Sequence, residues 1–228
     1  MPTPEPSSPA VLPIARAAAL LVAVLMLVGL VPAAPARAGS ASLPLTPGAS
    51  SWSRISSKRT TSIASATVTI PSTAPVTFGF QFRASSTSSG YRARLSVGAD
   101  GSVSGSFSRV ASGRETMLGG ATDLGIRVQP GDVINLEATV AALKSVRLYL
   151  RAWQDGSIKP PTWQLTAKDA SSKRLKKAGY TYLWARPDVD TTASDLVCTG
   201  VSVKSSSASK AAAVGVVAPE PNSDQFSI

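Results

Sequence analysis

Residues 130–163 read PGDVINLEATVAALKSVRLYLRAWQDGSIKPPTW. Two runs in this stretch, 133–140 and 146–153, alternate strictly between apolar and polar positions. Ile134, Leu136, Ala138 and Val140 oppose Asn135, Glu137 and Thr139. In the second run, Val146, Leu148, Leu150 and Ala152 oppose Arg147, Tyr149, Arg151 and Trp153. A period of two puts one set of side chains on a buried face and the other in water, the pattern of a half-buried antiparallel strand. The short connection 141–145 makes the pair a hairpin. Centred on Leu143, it sets Glu137 opposite Tyr149 with Arg147 and Arg151 as neighbours.

The same period recurs on both sides. Residues 63–70 are rich in Thr, Val and Ala and stop at Pro71. In 76–83, Phe78, Phe80 and Phe82 share one parity, a core stripe. Residues 91–97 and 102–110 flank Gly98-Ala99-Asp100-Gly101, and register decides that turn. A two-residue loop would set apolar Leu95 and Val97 against serines. A three-residue loop with Gly101 left-handed pairs Val97 with Val103 and Ala93 with Phe107. The second is expected, and it lines up outward Arg92 and Arg94 with serines. Short strands follow at 115–119 and 125–128, the latter leading into the Pro130-Gly131 turn. Further strands are expected at 163–168, 180–185 and 195–203, with a polar loop or single helical turn over 169–178. Many short strands broken by turns every 8–12 residues specify an all-β chain with two antiparallel sheets in a sandwich.

Residues 1–38 are read as a secretory signal peptide. A polar, Pro-rich segment ends at Arg16, an apolar run spans 17–31, and Ala36-Arg37-Ala38 supplies small residues for cleavage. The run is 15 residues long, against the ~18–20 needed to span a bilayer. Secretion is therefore expected, with no stable membrane insertion after cleavage. Residues 39–60, rich in Ser, Pro and Gly, read as a flexible leader, in which Trp52 either pins the segment back onto the domain or sits at a strand start. The sandwich is assigned to 61–204 and a disordered tail to 205–228.

Composition narrows the chemistry. The chain has no histidine and one cysteine, Cys198, so it has no Ser-His-Asp or Cys-His catalysis, no His-ligated zinc and no internal disulfide. Leaving out Arg16, Arg37 and Glu5 reduces 23 Lys+Arg and 13 Asp+Glu to 21 and 12, a net charge of +9. That balance favours anionic partners, or simply a solvated basic surface. Export and the lack of any nucleic-acid-binding signature argue against nucleic acid.

The order of several segments carries a resemblance. Gly90-Tyr91-Arg92-Ala93-Arg94 is followed by Asp100-Gly101-Ser102-Val103, then Pro130-Gly131-Asp132, Arg147 to Trp153, and Pro160-Pro161-Thr162-Trp163-Gln164. Over roughly 60–204 the chain resembles the concanavalin A-like (laminin G-like) jelly-roll modules of secreted actinobacterial proteins. Lys159-Pro160 stands where those modules carry Glu-Pro. The resemblance implies two sheets packed face to face and a concave face on which glycans lie. Some members of the wider fold are glucanases.

A retaining glucanase needs two carboxyl groups about 5–5.5 Å apart. The Glu-x-Asp-x-x-Glu pattern is absent, and between 60 and 204 the glutamates are Glu115 and Glu137 alone. Flanked by two arginines, Glu137 reads as an ion-pair partner with a depressed pKa, unsuited to a general acid. No enzyme activity is expected. Asn135, Glu137, Arg147, Tyr149 and Arg151, with Arg92 and Arg94, are the candidate ligand-binding residues. Guanidinium groups bind carboxylate or sulfate bidentately, and aromatic rings cover apolar sugar faces. Trp153 and Trp163 are assigned to packing across the 154–161 loop. Asp188, Asp190 and Asp195 are candidate calcium ligands, although turn-forming Asp accounts for the same residues. The leading expectation is a secreted, non-catalytic module that binds polysaccharide or another anionic cell-surface polymer. A structural, adhesin-like module is the alternative, and a divergent polysaccharide hydrolase the third.

Overall fold

A computed structural model describes residues 39–72, 75–142 and 144–205. The expected signal peptide, and the expected tail beyond Ser205, lie outside these residues. The described residues form thirteen strands and no helix: β1 (Gly39–Leu45), β2 (Ser51–Arg54), β3 (Ser62–Thr69), β4 (Val76–Ser86), β5 (Ser89–Val97), β6 (Ser102–Ala111), β7 (Arg114–Met117), β8 (Thr122–Arg127), β9 (Val133–Ala142), β10 (Val146–Gln154), β11 (Leu165–Asp169), β12 (Tyr180–Pro187) and β13 (Ser194–Ser205). One sheet runs β1-β13-β3-β9-β10-β11. The other runs β2-β12-β4-β5-β6-β7, with β8 also on β6. All pairings are antiparallel, giving the jelly-roll sandwich that the alternation specifies.

The core lies between the sheets and takes one parity from each strand. Phe78, Phe80, Phe82, Tyr91, Leu95 and Phe107 come from the second sheet, and Val68, Leu136, Ala138, Leu148 and Leu150 from the first. The β5–β6 turn has the expected register, Val97 opposite Val103 and Ala93 opposite Phe107. Gly101 has φ 75°, and a Cβ there would collide with the Val128 carbonyl oxygen.

Two expectations are corrected. The leader over 39–60 is not a free segment. Leu43 and Leu45 insert into the core as β1, and β2 pairs with β12 through Trp52 opposite Trp184. Two leucines at spacing two suffice because β1 is an edge strand, where Pro44 sacrifices no ladder hydrogen bond. The β9–β10 hairpin also closes one position later than expected. Ala142 pairs with Val146, so Glu137 faces Arg151, and Tyr149 faces Thr139. A two-residue slide keeps every side chain on its face, so alternation alone does not distinguish the registers. The longer ladder adds cross-strand hydrogen bonds. The loop 169–178 contains no helical turn.

Candidate functional site

The residues expected to bind a ligand are divided between opposite outer faces. Asn135, Glu137, Arg147, Tyr149 and Arg151 lie on the outside of the six-stranded sheet, alternating with core residues Leu136, Ala138, Leu148 and Leu150. Arg92 and Arg94 lie on the outside of the seven-stranded sheet, alternating with Tyr91, Ala93 and Leu95. The sandwich stands between the two groups, so they do not form one groove.

The first group is largely used up by its own loop. After β10 the chain folds back, bringing Trp163 onto Tyr149 with ring centroids 5.7 Å apart and under the Arg151 guanidinium at 4.5 Å. Trp163, Tyr149 and Ala141 form a small buried cluster, the packing role expected of Trp163. Arg151 Nη2 donates to Glu137 at 2.8 Å, and its Nη1 donates to the Pro160 carbonyl at 2.9 Å. Lys159, at the position where the resembled family carries Glu, pairs with Glu137 and lies over Trp153. Burial pushes the Glu137 pKa up, but hydrogen bonds from Lys159 and Arg151 outweigh it and hold the carboxyl below its ordinary value. Asn135 accepts from Thr67 and donates to Asp155. Arg147 alone of this group stays exposed.

The second face is more open. Strand register brings Trp184 of β12 beside Gly79 of β4, and Gly79 beside Arg94 of β5. Gly79 thus leaves a gap in the side-chain layer between Trp184 and Arg94. A Cβ on Gly79 would collide with the Ala93 carbonyl. Arg92, Arg94, Glu115, Trp184 and Arg186 line a depression of about 280 Å³, walled by residues 75–77 and 187–189. Glu115 joins the two inner arginines: Arg94 Nη1 is 2.8 Å from Oε1 and Arg92 Nη1 3.2 Å from Oε2, with Ser108 also donating. Arg94 Nε donates to Ser106 at 2.8 Å, and Arg92 Nε to Gln81 at 2.9 Å. The Gln81 amide is fixed in turn by the carbonyls of Ser86, Thr87 and Ser89. Arg186 is exposed and has no carboxylate partner among the described residues.

Two guanidinium groups therefore share the Glu115 carboxylate, and a third, Arg186, stands beside them in the same depression. Burial lowers the Arg92 pKa, Glu115 opposes that shift, and Arg94 and Arg186 add to it. Beside the charges lies an aromatic platform. Trp52 stacks on Trp184 at 5.7 Å and meets Tyr182 edge-on at 6.3 Å, with Arg92 4.7 Å above Trp184. Glu115, Trp184, Arg186 and Trp52 were not anticipated as one site. The common parity of Trp184 and Arg186 within 180–187 was legible, but the pairing of β12 with β4 and β2 was not.

A third cluster is internal. Asp169, 3% exposed, accepts from the Tyr91 hydroxyl at 2.8 Å and from Arg109 at 3.0 Å, and it also holds Ser171. Asp188, Asp190 and Asp195 are exposed and are not gathered into a metal-holding group; among the described residues no group of three or more acidic or Cys side chains is. Asp188 instead orders its turn, accepting from the Val189 N–H and through its carbonyl from Thr191.

No protein-family model and no curated protein matches the chain. Among solved structures, the carbohydrate-binding module CBM66 from Bacillus subtilis aligns at TM-score 0.49 and 15% identity, over 70% of this chain and 84% of that one. A β-glucanase from Bacillus licheniformis aligns at TM-score 0.46 and 10% identity, over 74% and 79%. A xylan β-1,4-xylosidase from Bacillus halodurans C-125 aligns at TM-score 0.44 and 13% identity, over 68% of this chain and 32% of that one. At these scores and identities the likenesses carry no argument about chemistry.

Proposed function

We propose that the protein is a secreted, non-catalytic sandwich module that holds an acidic polysaccharide or similar anionic polymer on the outer face of its seven-stranded sheet. The observation that carries this reading is the excess of guanidinium over carboxylate around one depression: Arg92, Arg94 and Arg186 against Glu115, which is already held by two of them, and Asp188 at the wall. An incoming carboxylate or sulfate offsets the repulsion among the arginines, and Arg186 is free to grip it bidentately. Trp52 and Tyr182 supply the neighbouring ring surface for an apolar sugar face. The resemblance to secreted concanavalin A-like modules, which implies a glycan on one sheet face, agrees in kind, although the residues expected from alternation belong to both faces.

Glu115 and Glu137 support the non-catalytic reading. They sit on opposite outer faces, each ion-paired with two cations, so they do not form the ~5 Å pair of a retaining glycosidase.

The test is affinity electrophoresis of residues 39–228, which hold both sheets and the whole core, through gels containing alginate, pectate or sulfated glycan. Retardation is expected with at least one acidic polymer, weaker with Arg94→Gln and Arg186→Gln and unchanged with Arg147→Gln. Migration unaffected by every acidic polymer, or retardation lost only with Arg147→Gln, overturns the proposal.

A further inference from the structure

Most exposed lysines and most exposed aspartates of the sandwich sit at opposite ends, with Arg127 and Arg186 the cations at the aspartate-bearing end. At the end where β9 turns into β10, β11 finishes and β12 begins, Lys58, Lys144, Lys168, Lys173, Lys176 and Lys177 are all exposed. Register fixes them to one end. Lys168 pairs with Arg147 just past the hairpin loop that holds Lys144. Arg59, next to Lys58, bridges Gly179, two residues past Lys177. The carboxylates nearest this end are both taken: Asp169 is buried against Arg109, and Glu115 is held by Arg92 and Arg94. The opposite end carries Asp100, Asp132, Asp155, Asp188, Asp190 and Asp195, on the turns and strand ends between the other strand termini. Backbone hydrogen bonds tie these segments together there, Ile70 to Asp132 and Asp188 to Pro75.

We infer that the lysine-bearing end is a docking surface for an anionic lipid bilayer, a role independent of the sugar-binding reading of the sheet face. Two features select this occupant. Most of the charges are lysines, with exposed Arg114 and Arg147 beside them, and point cations on flexible stems suit a laterally diffuse layer of headgroups better than a geometrically fixed ligand. They are spread over separate loops at one pole, and the acidic pole opposite repels an anionic surface, so the charge separation sets the orientation. In this orientation both sheets stand upright on the bilayer, and the Trp184–Arg186 depression stays open to polymer.

Sedimentation of residues 39–228 with vesicles tests this. Binding to vesicles of phosphatidylglycerol and phosphatidylcholine in equal parts is expected at low salt, none to phosphatidylcholine alone, and release at about 0.5 M salt, where screening is within ~4–5 Å. Replacing Lys173, Lys176 and Lys177 by Gln should weaken vesicle binding on the order of 100-fold, with an unchanged melting temperature. Arg94→Gln and Asp190→Asn should leave it intact. Equal binding to neutral vesicles overturns the inference, as does a triple variant that binds normally. So does retention on heparin or DNA through these lysines with no vesicle binding.

Discussion

Arg151 lies directly opposite Glu137 on the neighbouring strand, with Nη2 2.8 Å from the carboxylate. Both side chains are mostly buried, 7% and 13% exposed, under the loop that carries Lys159. Removing the carboxylate leaves two cations without it, one of them in a poorly solvated place. Glu137→Gln is expected to lower stability by about 1–3 kcal/mol in urea titrations, without affecting retardation by any acidic polymer.

The same geometry predicts an acid limb. Glu137 and Asp169 both have folded pKa values below their ordinary ones, so each favours the folded state while ionised. Their contribution is complete above the unfolded carboxylate range, about pH 4, and is lost as pH falls through the lower folded values. Melting temperature should therefore be flat from neutral pH to about pH 5 and decline below. In Glu137→Gln the decline should be shallower.

Asp169→Asn should be the most damaging single polar change. It removes the charge facing buried Arg109 and weakens the acceptor for the Tyr91 hydroxyl, which bridges onward to the Leu175 N–H at 3.0 Å. A loss of about 3–5 kcal/mol is expected in urea titrations. A loss below ~1 kcal/mol would mean that Arg109 finds water or another partner.

Cys198 is fully buried on β13, and burial pushes its thiol up to about 12. It should fail to react with a thiol-specific reagent in the native protein at pH 8 and react fully in denaturant. Native-state labelling at the denatured rate would contradict the register that places Cys198 between Ala41 and Val68.

Glu115→Gln should act in the opposite sense from the arginine variants. With Arg94 and Arg92 released from their carboxylate, retardation by an acidic polymer should strengthen several-fold while stability falls slightly. Gly79→Ala, whose Cβ meets the Ala93 carbonyl, should cost about 1–3 kcal/mol and weaken polymer binding by shifting Arg94.

The alternation in 133–140 and 146–153, the Phe stripe of β4 and the Gly101 turn made the sandwich readable from residues alone. They work because a wrong face costs many buried side chains at once. The hairpin slide escaped notice because it moved no side chain to another face. The site was less legible for a topological reason. Alternation tells which residues point outward, but not which sheet they point out of, so Arg92 and Arg151 looked equivalent. The pairing of β12 with β4, separated by about a hundred residues, decides that Trp184 and Arg186 belong with Arg92 and Arg94. The two leucines of β1 were hidden in a Ser- and Pro-rich stretch whose partner is the last strand.

That partnership has a consequence for how the molecule is made. β1 is the first described strand, and among the described strands its only sheet neighbour is β13, the last. A chain delivered from its N-terminus must keep Leu43 and Leu45 waiting until almost everything else has arrived. The six-stranded sheet also lacks the bridge between β1 and β3 until then. Contacts of such long sequence separation slow folding. The final turn of the lock is a single late strand, and truncating it should leave a collapsed, unfinished sheet with a hydrophobic seam open.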